Sequence, residues 1–167
     1  MSTLHLQTLF SQAYILGGFP CSGKSTVAEL IATQYGFHYY KADDYESEHM
    51  KRSQPGLQPI TYKYTHINWD EIWSQSPEQL LTDELTYYRE RFPFILNDLN
   101  RVETEKPVIL EGAAFLPELI KPFSIRYEMV VFMIPTLEFQ LHHYKQRPWI
   151  QSILSECHDP NRRLKTG

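Results

Sequence analysis

Eight residues near the amino terminus, Gly18-Phe19-Pro20-Cys21-Ser22-Gly23-Lys24-Ser25, follow the spacing G-x-x-x-x-G-K-[ST] at every fixed position. Glycines at those places let the chain turn sharply, so that successive backbone N–H groups face one point and form a nest for an anion. A helix beginning near Lys24 adds the positive end of its dipole. Lys24 brings a full charge to the outer phosphates of a polyphosphate, and Ser25 offers magnesium a hydroxyl. Thr26 follows within reach of an inner phosphate oxygen. The plainer reading is a glycine-rich turn that caps a helix. The flanks argue against it, because an apolar run, Tyr14-Ile15-Leu16, enters the loop and an amphipathic stretch leaves it.

A second group of oxygens follows the loop. Asp43 and Asp44 close a candidate strand at 37–41, and in an open α/β sheet ligands sit at the carboxyl ends of strands. The pair is therefore expected to face the same crevice as Lys24. A carboxylate there could orient an acceptor hydroxyl and take its proton, or could cap the next helix. His142 and His143 are adjacent on a helical stretch, where side chains point about 100° apart, so they read as surface histidines rather than a metal site.

Elements that would position these groups are legible along the chain. The 14–16 run reads as a buried strand, and 25–35 as a helix with Val27, Leu30, Ile31 and Tyr35 on its apolar face and Gly36 as its stop. A weak helix spans 45–52, and 53–65 reads as a long loop from Pro55, Gly56 and Pro59. A short helix starts at 68–73. Ser76 before Pro77 marks the start of a long helix at 77–100, with Pro93 as a break point. Strand 107–110 ends in Glu111-Gly112, a short helix covers 117–120, and 127–134 reads as a strand covered on both faces. Thr136 caps a last helix towards residue 146. Strands alternating with helices predict an α/β fold in three layers, with a mostly parallel sheet of at least four strands and helices on both faces. Residues 1–167 read as a single domain.

With the loop, the acidic pair and the strand ends in this order, the chain resembles the small P-loop kinases: nucleoside monophosphate kinases, shikimate and gluconate kinases, and related antibiotic phosphotransferases. The resemblance implies the P-loop NTPase fold, ATP with Mg2+, and transfer of the γ-phosphoryl group to a small-molecule acceptor. It implies that Asp44, with Asp43 its neighbour, holds the acceptor or acts as base. It places Glu111 where an acidic residue meets magnesium through water, beside Ser25, and Arg147 on a lid-like region, 136–167, with Arg162 and Arg163 next in line. The insert 45–105 would bind the acceptor. Its Arg89 and Arg91, beside Tyr62, Tyr64, Trp69, Trp73, Tyr87 and Tyr88, could hold an anionic acceptor or form an exposed helix face. Such kinases continue past the lid into a further strand and an adenine-holding loop. No apolar run follows Ile153-Leu154, so either that strand lies beyond Gly167 or the adenine is held in another way.

Composition narrows the partners. Net charge is −4 and no basic stripe is present, which argues against nucleic acid. No apolar run reaches about 18 residues, so no membrane span is expected. Cys21 lies inside the loop, away from any structural pairing with Cys157, and the amino terminus lacks the pattern of a secretory signal, which points to the cytoplasm. No N-K-x-D guanine motif occurs and no D-x-x-G follows the second strand, which argues against a GTPase switch. The competing expectation is a nucleotide-binding regulatory or degenerate domain without turnover.

Overall fold

Alternation along two short strands organises the architecture. In the computed structural model, which describes residues 3–147, these are β1 (Ala13–Gly18) and β3 (Val108–Glu111). Successive side chains of a strand point to opposite faces. Ala13, Ile15, Val108 and Leu110 therefore enter one core, while Leu16 and Ile109 enter another. The first core is filled by α1 (Thr3–Gln12), through Leu9 and Phe10, and by α6 (Pro77–Leu99), through Phe92, Ile95 and Leu99. The second is closed by α2 (Lys24–Tyr35), through Ala28 and Ala32. Helices thus cover both faces of the sheet, in three layers.

Among the described residues the sheet has four strands, all parallel, in the order β2-β3-β1-β4, with β2 at His38–Lys41 and β4 at Val130–Met133. Register sets Leu16 and Lys41 either side of Glu111, and Gly18 against Met133. The chain leaves β1 through α2 on one face, whereas it leaves β3 through α7 (Pro117–Ile120), which packs on the other. Neighbouring strands whose connections part in this way open a crevice beyond their carboxyl ends.

The segment between β2 and β3 forms α3 (Glu46–Arg52), α4 (Pro59–His66), α5 (Trp69–Trp73) and α6. Helix α6 has two working stripes. Phe92, Ile95 and Leu99 face the sheet, each contributing roughly 2 kcal/mol by full burial. Asp83, Tyr87, Glu90, Arg91 and Asp98 instead carry hydrogen bonds to the insert and to β2. Asp98 Oδ2 lies 2.6 Å from His49 Nε2 on α3 and accepts from the Tyr40 hydroxyl at 3.1 Å. Burial holds the His49 imidazole below its ordinary pKa despite that carboxylate.

Several expectations need correction. Of the apolar stripe read for α2, Ile31 packs against the second core, whereas Val27, Leu30 and Tyr35 are 37%, 63% and 63% exposed. Alanines at 28 and 32 let the helix backbone approach the sheet closely, and those three bulkier residues point outward. The 53–65 loop contains α4. Glu90 of α6 accepts from the N–H groups of Ile60 and Thr61 at 3.1 and 2.7 Å, capping α4 from a distant helix. Pro93 does not end α6, which runs on to Leu99 with the proline on its exposed side. The 127–134 strand reduces to Val130–Met133 after a 3-10 turn at Tyr127–Met129. Its Val131 and Phe132 are 52% and 39% exposed, so β4, an edge strand among the described residues, is not covered on both faces. Among the described residues no helix is long and apolar enough to cross a membrane.

Candidate functional site

The 18–25 loop joins the carboxyl end of β1 to the amino end of α2. Gly18 has φ 115°, and a Cβ there would lie 2.2 Å from the Met133 carbonyl oxygen, so only glycine fits against β4. The next residue, Phe19, donates its N–H to that oxygen at 3.1 Å. Cys21 and Gly23 are left-handed, at φ 57° and 87°, with Ser22 between them. Such alternation turns successive N–H groups to one side. Gly23 supplies no side-chain cap to α2. The N–H groups of Lys24, Ser25 and Thr26 belong to a first helical turn and have no intrahelical acceptor. The Ser22 hydroxyl is buried without a hydrogen-bond partner. Phe19 and Pro20 form the exposed tip of the loop, and Thr26 is exposed beside it.

Lys24 lies on the same i, i+4 stripe as Ala28 and Ala32, so the packing that seats α2 also buries this side chain to 7% exposure. Its Nζ spans the loop and donates to the Phe19 carbonyl at 2.6 Å. Burial pulls its pKa below the ordinary lysine value, against the Glu111 and Asp43 carboxylates, which favour the ammonium.

Glu111 faces the α2 side of the sheet because it alternates with Leu110. Its Oε2 accepts from the Ser25 hydroxyl at 3.2 Å and the Tyr39 hydroxyl at 3.1 Å. Its Oε1 is buried with no hydrogen-bond partner, and the residue is 1% exposed. Burial first, and then the Asp43 charge, raise the Glu111 pKa. A buried carboxylate oxygen without a donor, next to a serine hydroxyl and a nest of N–H groups, fits a hydrated divalent cation carried by a polyphosphate.

Asp43 and Asp44 occupy the 3-10 turn Ala42–Tyr45 after β2, both of them exposed. Asp44 pairs with Lys41 at 3.4 Å, and its side chain is 65% exposed. Asp43 instead acts electrostatically on both Lys24 and Glu111. Arg147, at the end of α8 (Leu137–Lys145), also acts on Lys24. Lys24, Ser25 and Glu111 come together at the loop, with the Asp43 and Arg147 charges near enough to act on Lys24; Asp44 pairs with Lys41, and its charge acts on Tyr39. Arg162 and Arg163 lie outside the described residues.

Contact between the strand ends rests on Gly112. A Cβ at Gly112, whose φ is 154°, would lie 2.7 Å from the Ala42 Cβ. Gly112→Ala is expected to push the Ala42–Tyr45 turn away and destabilise the fold by about 2 kcal/mol through overpacking and φ strain, read as a lower urea midpoint at unchanged slope.

The expected acceptor residues divide differently. Arg91 is buried and bonded to Glu46 and the Ala42 carbonyl, and Arg89 pairs with Glu118 at 2.9 Å on the surface. Tyr64 donates to Asp83, Tyr87 to Glu46 and Tyr88 to Glu84, while Tyr62 packs on His66. Both arginines thus have carboxylate partners, and the tyrosines serve the insert's own polar network. His142 bonds Gln146 and packs edge-on against His143, both of them exposed. The sequence reading missed Tyr39, two positions before Lys41 on the same face of β2, and the Met133 carbonyl. A search against protein-family models finds no match, and no curated protein matches the chain.

Proposed function

We propose that this protein is a magnesium-dependent phosphotransferase of the P-loop fold, moving the γ-phosphoryl group of ATP to a small-molecule hydroxyl. One observation carries the reading. Glu111, whose Oε2 accepts from Ser25 and whose Oε1 is buried and unpartnered, sits at the mouth of an uncapped helix whose Lys24 ammonium is held over the loop.

In this reading the loop N–H groups and Lys24 hold the β- and γ-phosphates, Lys24 leaving the Phe19 carbonyl to do so. Magnesium, when bound with the triphosphate, neutralises charge on its outer oxygens. Ser25 and Glu111 would hold it, Glu111 through water. Arg147 faces charge that builds on the transferring group. Asp43 orients the acceptor hydroxyl and takes its proton as the acceptor oxygen bonds to the γ-phosphorus. The bond from that phosphorus to the β–γ bridging oxygen breaks, and ADP leaves.

The Glu111 pKa shift gives this reading a pH signature. A carboxyl raised in the free protein must lose its proton before it can serve a cation. Affinity for Mg2+-ATP is therefore level above the raised value and falls below it by up to about tenfold per pH unit. The fall sets in at a higher pH than for an unperturbed glutamate. Glu111→Gln should flatten this component in calorimetric titrations, since the nucleotide's own titration is common to both proteins.

The reading is tested by Mg2+-dependent ATP binding followed by an ATP-consumption screen over polyols, amino alcohols, sugars and nucleosides. Turnover on one class supports it. Binding without turnover on any class favours a nucleotide-binding domain without catalysis, and absence of binding overturns both.

A further inference from the structure

Arg91 is 1% exposed on α6, beneath the turn that carries Asp43. Its Nη2 donates to the Ala42 carbonyl at 3.1 Å and its Nη1 to Glu46 Oε1 at 3.1 Å. The Tyr87 hydroxyl donates to the same Glu46 oxygen at 2.6 Å, and the guanidinium carbon lies 5.1 Å from the centre of the Tyr87 ring. One planar cation thus grips the residues on either side of the Asp43-Asp44-Tyr45 segment. From above, Gly112 presses on Ala42 with no room for a methyl group. The turn is clamped between Arg91 below and the residue after Glu111 above.

Stability does not explain such a clamp. Arg91 Nε is buried without a partner, and a buried guanidinium with one unsatisfied donor is costly to desolvate. A well-packed apolar side chain of similar volume often serves the fold as well or better. A lysine would offer no rigid fork to reach the carbonyl and the carboxylate together.

The geometry points to Arg91 as the positioning residue for Asp43, fixing its carboxylate relative to Lys24 and Glu111 through the Ala42–Tyr45 turn. This inference rests on the phosphotransferase reading above. Arg91 touches neither nucleotide nor acceptor in that reading, so its removal should act on turnover and spare nucleotide binding. Glu46 is the second jaw. The amide oxygen of Glu46→Gln can accept from the same two donors, whereas Glu46→Ala cannot.

The test compares Arg91→Met, Glu46→Ala and Glu46→Gln in the full chain. Arg91→Met and Glu46→Ala are expected to lower kcat roughly 10- to 100-fold, the cost of a small displacement of a catalytic group. The Kd for Mg2+-ATP should stay within about twofold, and Glu46→Gln should keep kcat within the same factor. If Arg91→Met does not fold, Glu46→Ala carries the comparison, because Glu46 is half exposed. Hydrogen exchange of residues 42–46 decides the structural part without turnover, and it should quicken in Arg91→Met and Glu46→Ala while residues 18–25 are unchanged. Wild-type kcat in both variants, with Asp43→Asn inactive, overturns the inference and leaves the phosphotransferase reading standing. Unchanged exchange at 42–46 overturns it as well. Failure of the wild-type protein to bind Mg2+-ATP marks the separate failure of the reading beneath it.

Discussion

Lys24→Met is expected to abolish phosphoryl transfer, lowering turnover at least about a thousandfold, and to weaken Mg2+-ATP binding. Lys24 is the ammonium of the loop itself, and in the free protein its charge is supported by the Phe19 carbonyl at 2.6 Å and by the Glu111 and Asp43 carboxylates. Burial already works against that charge, as the lowered pKa records. Replacing it with an apolar side chain of similar length therefore removes a desolvation cost together with the bond to Phe19. The melting temperature should stay within about 3 °C of the wild type. Loss of activity at retained stability separates this residue from a merely structural lysine. Full activity in the variant would refute the assignment.

Asp43→Asn should lower turnover at least about a hundredfold, the scale of lost acid–base catalysis, and leave the Kd for Mg2+-ATP nearly unchanged. The amide can still orient a hydroxyl but cannot take its proton. Asp44→Asn is the control. That carboxylate is largely exposed and bound to Lys41 at 3.4 Å, a surface pair worth between about 0 and 1 kcal/mol. Its loss should move neither turnover nor midpoint appreciably. A large loss in Asp44→Asn with little in Asp43→Asn would restore the assignment drawn from family resemblance, which favoured Asp44. The pair of variants is assayed by steady-state kinetics on whichever acceptor gives turnover.

What could be read from the residues was local. The glycine spacing of the loop, its entry strand and its exit helix each lie within a dozen positions of one another. The caps at Ser76 and Thr136, which accept from the N–H groups of Gln79 and Phe139, are three-residue patterns. The 117–120 helix and the Glu111-Gly112 strand end were visible for the same reason. What escaped was set at long range. Glu90 caps α4 from 29 positions away, and Tyr39 meets Glu111 across 72. Nothing near Asp43 in sequence marks it over Asp44. The choice weighs the charge of Asp43 on Lys24 and Glu111, which needs β2 and β3 side by side, against the local Lys41–Asp44 pair. Helix α2 shows the limit of periodicity, since Val27, Leu30 and Tyr35 of its obvious stripe are exposed while two alanines are buried. Helix α1 is not among the elements read from the sequence.

The most direct measurement is the backbone amide spectrum of the full chain titrated with Mg2+-ATP, with Mg2+ alone and sulfate as controls. A polyphosphate seated at this strand-to-helix bend should shift the amides of residues 21–26 saturably, with Gly112 following and α1 unmoved. Saturable binding that shifts other residues and leaves 21–26 in place, or no saturation at all, would contradict the claim that this bend encloses a triphosphate.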